Sequence, residues 1–318
     1  MIVREGIKSV EYAPIVVFGF NRPEHLSRCL RSLENCSNFA SHSGFIFIDG
    51  ARNENDEKSI LECLKIAERF ADTHGFTVIS REANLGLAAS VRSGINHVFE
   101  NSDSIIVIED DLLLGVGFLE FVNSALNFYQ QHNQVASISG YQYPIDLEPS
   151  GGVFLRGADC WGWGTWKNRW QATNFDGENL LAQMRAKKLL KAFNLNGSIN
   201  YEDMLRKYCS GEIDSWAVPW HASMFLQNRL TLFPSKTFVS NEGGDGSGTH
   251  FGLNSLYSQN LDLQTLNEFP TVLSETESYR ESMVAFYRKI NQPLTRLQKL
   301  NFLVKKVMSL VSPKNHKN

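Results

Sequence analysis

The segment Ser104–Asp111 joins a run of apolar residues to a cluster of acids. Ile105–Ile108 are consecutive β-branched residues, a pattern typical of a strand that is buried on both faces of a parallel sheet. Glu109, Asp110 and Asp111 follow at once. Because open α/β sheets bind their ligands beyond the carboxyl ends of their strands, we expect these acids to line a crevice at that edge.

Three adjacent acids at such an edge predict a metal site. Neighbouring carboxylates repel one another, and a hard divalent cation bound through oxygen atoms would relieve the repulsion. We therefore expect a cation that receives a phosphate-bearing substrate. The structural alternative is an acidic loop after a strand, and the motif alone leaves both interpretations open.

Strand and helix patterns alternate along the first part of the chain. Buried strands are predicted over Pro14–Phe20, Gly44–Asp49 and Phe76–Ser80, each followed by apolar residues at helical spacing. The predicted helix faces are Leu26, Cys29, Leu30 and Leu33; Ile60, Leu61, Leu64, Ala67 and Phe70, with Asp56 as the cap; and Leu87, Val91, Ile95, Val98 and Phe99. A further helix is predicted over Leu119–Gln131 and a strand over Val135–Gly140. This alternation predicts an α/β fold with a mostly parallel sheet flanked by helices.

Composition and charge narrow the class of protein. The chain has 318 residues, of which 42% are hydrophobic and 20% charged, as in an ordinary globular protein with a substantial core. Its net charge of −3 gives no reason to expect nucleic acid as a partner. It has five cysteines without a Cys-x-x-Cys pair, no signal-peptide pattern over Met1–Glu11 and no apolar run long enough to span a bilayer. We therefore expect reduced thiols and a cytoplasmic location.

The loops after the predicted strands carry scattered candidates for nucleotide binding. Gly19–Pro23 lacks the glycine-rich dinucleotide fingerprint, and the chain has no Walker motif, which argues against a dehydrogenase or a P-loop kinase. Arg22 is a candidate phosphate contact and Asp49 a candidate ribose or base contact. Asn84 and Gly86 offer close backbone approach at a helix N-terminus, where amide groups favour anions. Asp49 could instead cap a helix or order a turn, and Gly86 could serve tight packing.

Four stretches, in this order, resemble those of the GT-A nucleotide-sugar-dependent glycosyltransferases. They are Val16–Pro23, Ile48–Gly50, Asn84–Leu87 and Ile108–Asp111, the last followed by a Phe-bearing helix. Within that group the chain is similar to bacterial family 2-like enzymes and to the N-acetylglucosaminyltransferase I type, which carries Glu-Asp-Asp where most relatives carry Asp-x-Asp. The resemblance covers roughly residues 13 to 255.

The resemblance implies a metal-dependent transferase of GT-A fold. Such an enzyme moves a sugar from a nucleoside diphosphate sugar, with a UDP-sugar favoured here, to a hydroxyl of a glycan or lipid-linked acceptor in bacterial surface polysaccharide synthesis, with inversion. By position, Asp111 would hold Mn²⁺ or Mg²⁺, Asp110 would contact ribose or sugar, and Glu109 would contact the sugar or support its neighbours. The roles of the last two are exchangeable. Residues 1–145 would form the nucleotide-sugar-binding half and residues 146–260 the acceptor-side half of the same domain.

The stretch Gly157–Trp170 contains four of the six tryptophans. Flat aromatic faces stack on the C–H faces of sugars, so Trp161 and Trp163 are predicted to line the acceptor or donor sugar site, with a place in the core as the alternative. Trp166 and Trp170 lie four residues apart and are predicted to anchor a helix to the sheet.

A second acidic segment, Glu212–His221, supplies the candidate catalytic base. Direct displacement at an anomeric carbon needs a carboxylate that takes the proton of the acceptor hydroxyl. The resemblance favours Asp214 for this role, although its Asp-Ser-Trp context departs from the Asp-Asp-Trp of the N-acetylglucosaminyltransferase I type and leaves Glu212 as the alternative and as an acceptor-side contact. Asp214 is also a candidate N-cap for a helix near Trp216–Gln227.

The stretch Val239–Gly252 has five glycines and no apolar periodicity, which predicts a mobile loop that closes over a substrate. His250 within it could bind the metal or donate to the diphosphate, or it could be a surface histidine.

Residues 261–318 are predicted to form a basic amphipathic extension. From Tyr279 onward there are nine Lys or Arg residues against Glu281 alone, and Pro293 is expected to divide two helices. Such a segment can bind peripherally to the anionic inner face of the cell membrane, or it can dock on the domain with a solvated basic face.

Two other functions stay open from the sequence. One is a sugar-phosphate nucleotidylyltransferase, for which Gly19–Pro23 is a poor triphosphate loop. The other is a non-catalytic glycan- or nucleotide-binding protein that uses the tryptophans.

Overall fold

The structure is a computed structural model that describes residues 11–145, 151–243, 257, 261 and 268–291. Its strands are β1 (Ile15–Gly19), β2 (Gly44–Ile48), β3 (Thr77–Ser80), β4 (Ser104–Glu109), β5 (Leu112–Leu114), β6 (Val135–Ser139), β7 (Val153–Arg156), β8 (Trp163–Trp166), β9 (Leu230–Phe233) and β10 (Val239–Asn241). Its α-helices are α1 (Pro23–Glu34), α2 (Glu54–His74), α3 (Leu87–Val98), α4 (Phe118–Tyr129), α5 (Lys167–Gln171), α6 (Gly177–Ala186), α7 (Leu190–Phe193), α8 (Tyr201–Ser210), α9 (Ala217–Leu226) and α10 (Glu277–Ile290).

Eight strands form one sheet in the order β3-β2-β1-β4-β8-β6-β9-β7. β1 pairs in parallel with β2 and β4, and β2 pairs in parallel with β3. β8 is antiparallel to β4 and β6, β7 is antiparallel to β9, and β6 and β9 are parallel. The fold is therefore α/β with a mostly parallel sheet flanked by helices, which confirms the predicted class.

The register of β1 with β2 and β4 determines which loops lie next to each other. Phe18 lies opposite Glu109, and Gly19 lies opposite Ile48. The loops that follow β1, β2 and β4 therefore leave the sheet at the same carboxyl edge. β8 runs the other way, so the residues that lead into it at Trp163 also lie at this edge.

Alternate residues of β1 pack into two core layers on opposite faces of the sheet. Ile15 and Val17 belong to one core with apolar side chains of α1, α2 and α4. Val16 and Phe18 belong to the other with side chains of α3, α5 and α9. Successive side chains of a strand point to opposite faces of the sheet. Because both faces of β1 are buried, its odd-numbered and even-numbered residues are all apolar.

The buried face of α2 differs from the prediction at Leu61, which was expected there, and at Cys63, which was not. Ile60, Cys63 and Ala67 are buried, whereas Leu61 is 56% exposed. Assigning Leu61 to the core face was wrong, because one residue along a helix turns the side chain by about 100° and the stripe set by the other three faces away from it.

The cap of α2 also differs. Asn53 is the N-cap, and its Oδ1 accepts a hydrogen bond from the backbone N–H of Asn55 at 3.0 Å. Asp56, predicted as the cap, lies inside the first turn, where its carboxylate accepts hydrogen bonds from Asn21 at 2.6 Å and from Arg52 at 2.7 and 2.8 Å. Asp56 therefore ties the loop after β1 to α2.

The described part of the C-terminal extension is docked on the domain. The apolar face of α10, formed by Tyr279, Met283, Val284 and Tyr287, is buried in a third core together with residues of β7 and β9. Over α10 the structure therefore shows the docked alternative, in which the apolar face packs inside the protein. Residues 292–318 lie outside the described residues, and the predicted membrane contact and the predicted break at Pro293 stay predictions there.

Within the described ranges no helix has the length and apolar character that crossing a bilayer requires.

Candidate active site

The acidic motif lies at the carboxyl end of β4, beside the first loop. The backbone N–H of Asp110 donates to the carbonyl oxygen of Phe18 at 2.9 Å, which extends the pairing of β4 with β1. Arg22 Nη2 forms ion pairs with Asp110 Oδ1 and, at 3.1 Å, with Asp111 Oδ2. Arg22 therefore lies against the motif, and its predicted phosphate contact stays a prediction.

Negative charge in this motif exceeds what Arg22 can neutralise. Burial raises the pKa of Glu109 to about 8, and the charges of Asp111 and Asp110 add to the shift. Burial likewise raises the pKa of Asp110 to about 6, against the opposing charge of Arg22. Burial opposes the charge of Arg22, but its two aspartate partners outweigh that effect and raise its pKa. Three carboxyl groups thus face one guanidinium, and an additional cation would relieve the imbalance.

The oxygen atoms of the motif fit a cation that is shared with a ligand. Asp110 Oδ2 is buried and has no hydrogen-bond partner in the described part of the chain. Among the described residues, however, no group of three His, Cys, Asp or Glu side chains could hold a metal ion. Hard cations such as Mg²⁺ are often bound by one or two carboxylates with phosphate oxygens completing the coordination. The residues present fit that arrangement and do not form a closed protein cage.

Asp49 has a different place from the one predicted. It is 5% exposed, and its two carboxylate oxygens accept hydrogen bonds from the backbone N–H groups of Gly50, Leu85 and Gly86 and from Asn84 Nδ2, all between 3.0 and 3.2 Å. A carboxylate has about four acceptor positions, so these four donors use its capacity. The turn-ordering alternative is therefore observed for Asp49, and its ribose or base contact stays a prediction.

Asn84 is likewise engaged within the chain. Its Nδ2 donates to Asp49 and, at 2.9 Å, to the carbonyl oxygen of Gly50. Its side chain therefore connects the loop after β2 with the turn that precedes α3.

Asp214 lies at the N-terminus of α3. Its Oδ2 accepts a hydrogen bond from the backbone N–H of Ala88 at 3.2 Å, and a Cβ added to Gly86 would lie 2.8 Å from the same oxygen. Gly86 has φ +78°, a conformation that favours glycine. The predicted close approach at Gly86 therefore occurs, but the group that approaches is Asp214. Its side chain caps α3 and not α9, whose N-cap Trp216 makes no side-chain cap, so the predicted cap was assigned to the wrong helix.

Trp216 connects this segment to the acidic motif and was not predicted as a site residue. Its indole lies close enough to Glu109 to lower the pKa of that carboxyl, against the larger effect of burial. A tryptophan two residues after a candidate base was the available signal, but its partner is more than 100 residues away in the chain and no local pattern identifies it. The segment that carries Asp214 thus borders the acidic motif.

The residues that lead into β8 approach the motif from another side. Burial raises the pKa of Cys160, and the charges of Asp159, Glu109 and Asp111 add to the shift, so this cysteine lies near all three acids. The carboxylate of Asp159 accepts hydrogen bonds from the backbone N–H of Cys160 at 2.8 Å and of Trp161 at 3.1 Å, and from the Tyr143 hydroxyl at 3.0 Å. Trp161 is partly exposed, so its predicted sugar contact stays a prediction.

Trp163 is a core residue, which contradicts its predicted place in a sugar site. It is fully buried and stacks on Trp216 with ring centroids 5.1 Å apart, and Trp170 and Trp220 pack within 6.0 Å of it. A ring without exposed surface cannot stack on a ligand. Trp166 and Trp170 are also buried, as predicted, but Trp166 belongs to β8 and only Trp170 to α5.

The remaining candidates lie at the margin of the site. Glu212 is exposed and accepts a hydrogen bond from the Ser210 hydroxyl at 2.9 Å, and its alternative role as base stays untested. β10 pairs with β5 and brings the start of the glycine-rich stretch to the motif, since the N–H of Glu242 donates to the carbonyl oxygen of Asp111 at 2.8 Å. His250 and the rest of that loop lie outside the described residues.

Comparison with known proteins adds little beyond this architecture. No protein-family model matches the chain, and no curated protein matches it. Among solved structures it is similar to residues 1–349 of TarS from S. aureus, with 10% sequence identity and a TM-score of 0.42; the match covers 74% of this chain and 61% of that one. The chain thus spans less than two thirds of that structure. Similarity at this level supports no argument about activity, which has to be made from the geometry.

Proposed function

We propose that the chain is a GT-A glycosyltransferase that moves a sugar from a nucleoside diphosphate sugar to an acceptor hydroxyl. The observation that carries this proposal is the convergence of two kinds of carboxylate at one sheet edge. The acids of Glu109–Asp111, of which Asp110 is buried and the other two are partly exposed, suit a cation-bound diphosphate, and the exposed Asp214 suits a hydroxyl that must lose a proton. Trp216, two residues after Asp214, lies beside Glu109.

Donor binding rests on the loops that follow β1 and β4. Asp111 would hold Mn²⁺ or Mg²⁺ together with diphosphate oxygens, and Glu109 and Asp110 would face ribose and sugar. When bound, the cation supplies positive charge that stabilises the departing diphosphate. Arg22 lies beside these acids and is the guanidinium available for the phosphates.

The transfer would be a single displacement. The acceptor oxygen attacks the anomeric carbon while the bond from that carbon to the diphosphate oxygen breaks, and Asp214 takes the hydroxyl proton. The products are the glycoside, the nucleoside diphosphate and protonated Asp214. Attack from the face opposite the leaving group inverts the anomeric carbon. Trp161, which is partly exposed and whose backbone N–H donates to Asp159, is the proposed platform for a sugar ring.

A glycan or a lipid-linked saccharide is the proposed acceptor, and a UDP-sugar the proposed donor, in the synthesis of a bacterial surface polysaccharide. The cytoplasm, with a peripheral membrane contact through residues 292–318, is the proposed location.

Calorimetric titration with UDP, GDP and dTDP, each with and without Mn²⁺, tests the donor side. We expect tight binding of one nucleotide that requires the metal. Asp111→Asn should abolish the metal dependence while the protein stays folded, and Asp203→Asn, which changes an exposed aspartate on α8, is the matched control. Failure of all three nucleotides to bind a folded protein would contradict the proposal and favour the non-catalytic glycan-binding alternative.

Mass spectrometry of the products tests the reaction class. A transferase should slowly hydrolyse its nucleotide-sugar donor to the nucleoside diphosphate when no acceptor is present. Release of pyrophosphate from a nucleoside triphosphate and a sugar phosphate would instead identify a nucleotidylyltransferase.

A further inference from the structure

We propose that Asp49 is a positioning residue for Asp214, because it orders the turn 84–86 on which the Asp214 carboxylate rests. The inference rests on the proposed function, in which Asp214 is the catalytic base. It assigns Asp49 to the transfer step and not to donor binding.

The first step is the engagement of Asp49. Its carboxylate accepts hydrogen bonds from Leu85 N–H and Gly86 N–H, and Asn84 Nδ2 donates to it as well. Three consecutive residues of one turn are thus held by a single buried side chain. Because Asp49 directly follows β2, it ties this turn to the sheet.

The second step is the contact between the turn and Asp214. α3 has no side-chain cap of its own, since its N-cap is Gly86. Asp214, 126 residues further along the chain, supplies the missing acceptor to Ala88 N–H. Its Oδ2 lies only 2.8 Å from the position that a Cβ on Gly86 would occupy, so the carboxylate fits only while the turn keeps its path.

The third step concerns the other end of the segment. Trp216 is buried and stacks on Trp163 of β8 with ring centroids 5.1 Å apart, so the segment around Asp214 is held at β8 as well as at α3. Asp214 itself remains exposed and accessible to an acceptor. A displacement of about 1 Å at a reacting group can reduce the rate by about 100-fold, so loss of one of the two attachments should appear in the chemical step.

The test is Asp49→Asn, measured for nucleotide Kd and for kcat of transfer. Asparagine replaces one of the two accepting carboxylate oxygens with an N–H₂ donor, which then faces the N–H groups of the turn, so the turn should lose its order. We expect kcat to fall about 10- to 100-fold with Kd changed less than about 3-fold. A weakened Kd with unchanged kcat would overturn the inference and return Asp49 to nucleotide binding.

A double-mutant cycle separates positioning from general damage. In the Asp214→Asn background the base is gone, so Asp49→Asn should reduce the residual kcat by less than about 2-fold. An undiminished loss in that background would contradict the inference.

Two control variants test the side effects of these substitutions, which are lower stability and backbone strain. Asn53→Ala removes the cap of α2 and should lower stability without changing kcat. Gly75→Ala adds a Cβ at φ +73° with no atom within 4 Å of it. Gly86→Ala adds a Cβ at φ +78° that would lie 2.8 Å from Asp214 Oδ2. Only Gly86→Ala should reduce kcat. Equal loss of kcat in both members of the glycine pair would overturn the inference. Absence of nucleotide binding by the unchanged protein would instead defeat the proposed function itself.

Discussion

The two ends of the central sheet differ in how they are assembled. β1, β2, β3 and β4 alternate with α1, α2 and α3 along the chain and pair in parallel. Beyond β4 the order is not sequential: β8 lies between β4 and β6, and β7 pairs with β9. In the first region β1, β2 and β3 pair in chain order and β4 returns to pair with β1, all through parallel connections, so local patterns predict the structure. In the second, the partners are distant in the chain, and the same patterns predict less.

The site lies where these regions meet. The loops after β1 and β4 contribute Arg22 and the acidic motif, whereas the segment before α9 contributes Asp214 and Trp216. The two regions should therefore respond to mutation in different ways: loss of Asp111 should weaken binding, and loss of Asp214 should weaken transfer.

The largest effect is expected for Asp214→Asn. Removal of a general base costs about 100- to 10,000-fold in kcat, while nucleotide affinity should stay unchanged because the donor-side loops are intact. Steady-state transfer kinetics and calorimetry on the same preparation provide the check. Full activity of this variant would remove Asp214 from the mechanism, and Glu212→Gln is the variant to examine beside it.

Trp163→Ala should cause the next largest effect. Removing a fully buried indole from the tryptophan cluster should lower the free energy of unfolding by about 3–5 kcal/mol. Trp161→Ala removes a partly exposed ring and should cost less than half as much. Urea denaturation of both variants measures the difference. Equal losses would argue against the assignment of Trp163 to the core and Trp161 to the surface.

His221 predicts a pH dependence of stability on the acceptor side. Burial lowers the pKa of His221 to about 4 from an ordinary value of 6.5. Below pH 6.5 the unfolded chain binds a proton that the folded chain rejects, so this histidine destabilises the fold increasingly as the pH falls toward 4, by up to about 3 kcal/mol. Urea denaturation at pH 7 and pH 4.5 should show a smaller loss for His221→Gln than for the unchanged chain. The same pH slope in both would contradict the prediction.

The smallest effect is expected for Leu61→Ala on the donor side. Leu61 is 56% exposed, so its truncation should change the free energy of unfolding by less than about 0.5 kcal/mol. Ile60→Ala, one residue earlier on the buried face, should cost about 2–4 kcal/mol. Thermal or urea denaturation compares the pair, and a large loss for Leu61→Ala would mean that α2 packs differently.

Much of the donor side could be predicted from the sequence. The β-branched runs and the helical spacing of Leu26, Cys29, Leu30 and Leu33 identify elements that bury those side chains. The acids after β4 were predicted at the carboxyl edge, where they lie. These predictions succeed because the spacing of apolar residues and the ends of strands are local properties of the sequence. Right-handed parallel βαβ connections then leave few ways to arrange the predicted strands and helices.

Errors arose where a side chain has its partner far along the chain. Asp49 is of a residue type that binds ligands, but its carboxylate oxygens are occupied by hydrogen bonds from the turn 84–86. Trp163 is of a type that stacks on sugars, but other tryptophans enclose its ring. Asp214 caps a helix that begins more than 100 residues before it. A sequence pattern shows which groups are able to form such contacts, but it does not identify their partners.

The sequence by itself determined the α/β class, the parallel β1–β4 core and the position of the acidic motif, since each depends on residues close together in the chain. Only the tertiary structure decided which carboxylates are available at the site. Asp49 is enclosed by backbone donors, Glu109 and Asp110 are desolvated beside Arg22, and Asp214 is exposed at the start of α3. Solvation and hydrogen-bond partners determine what a carboxylate can do, and both depend on elements that folding brings together from distant parts of the chain.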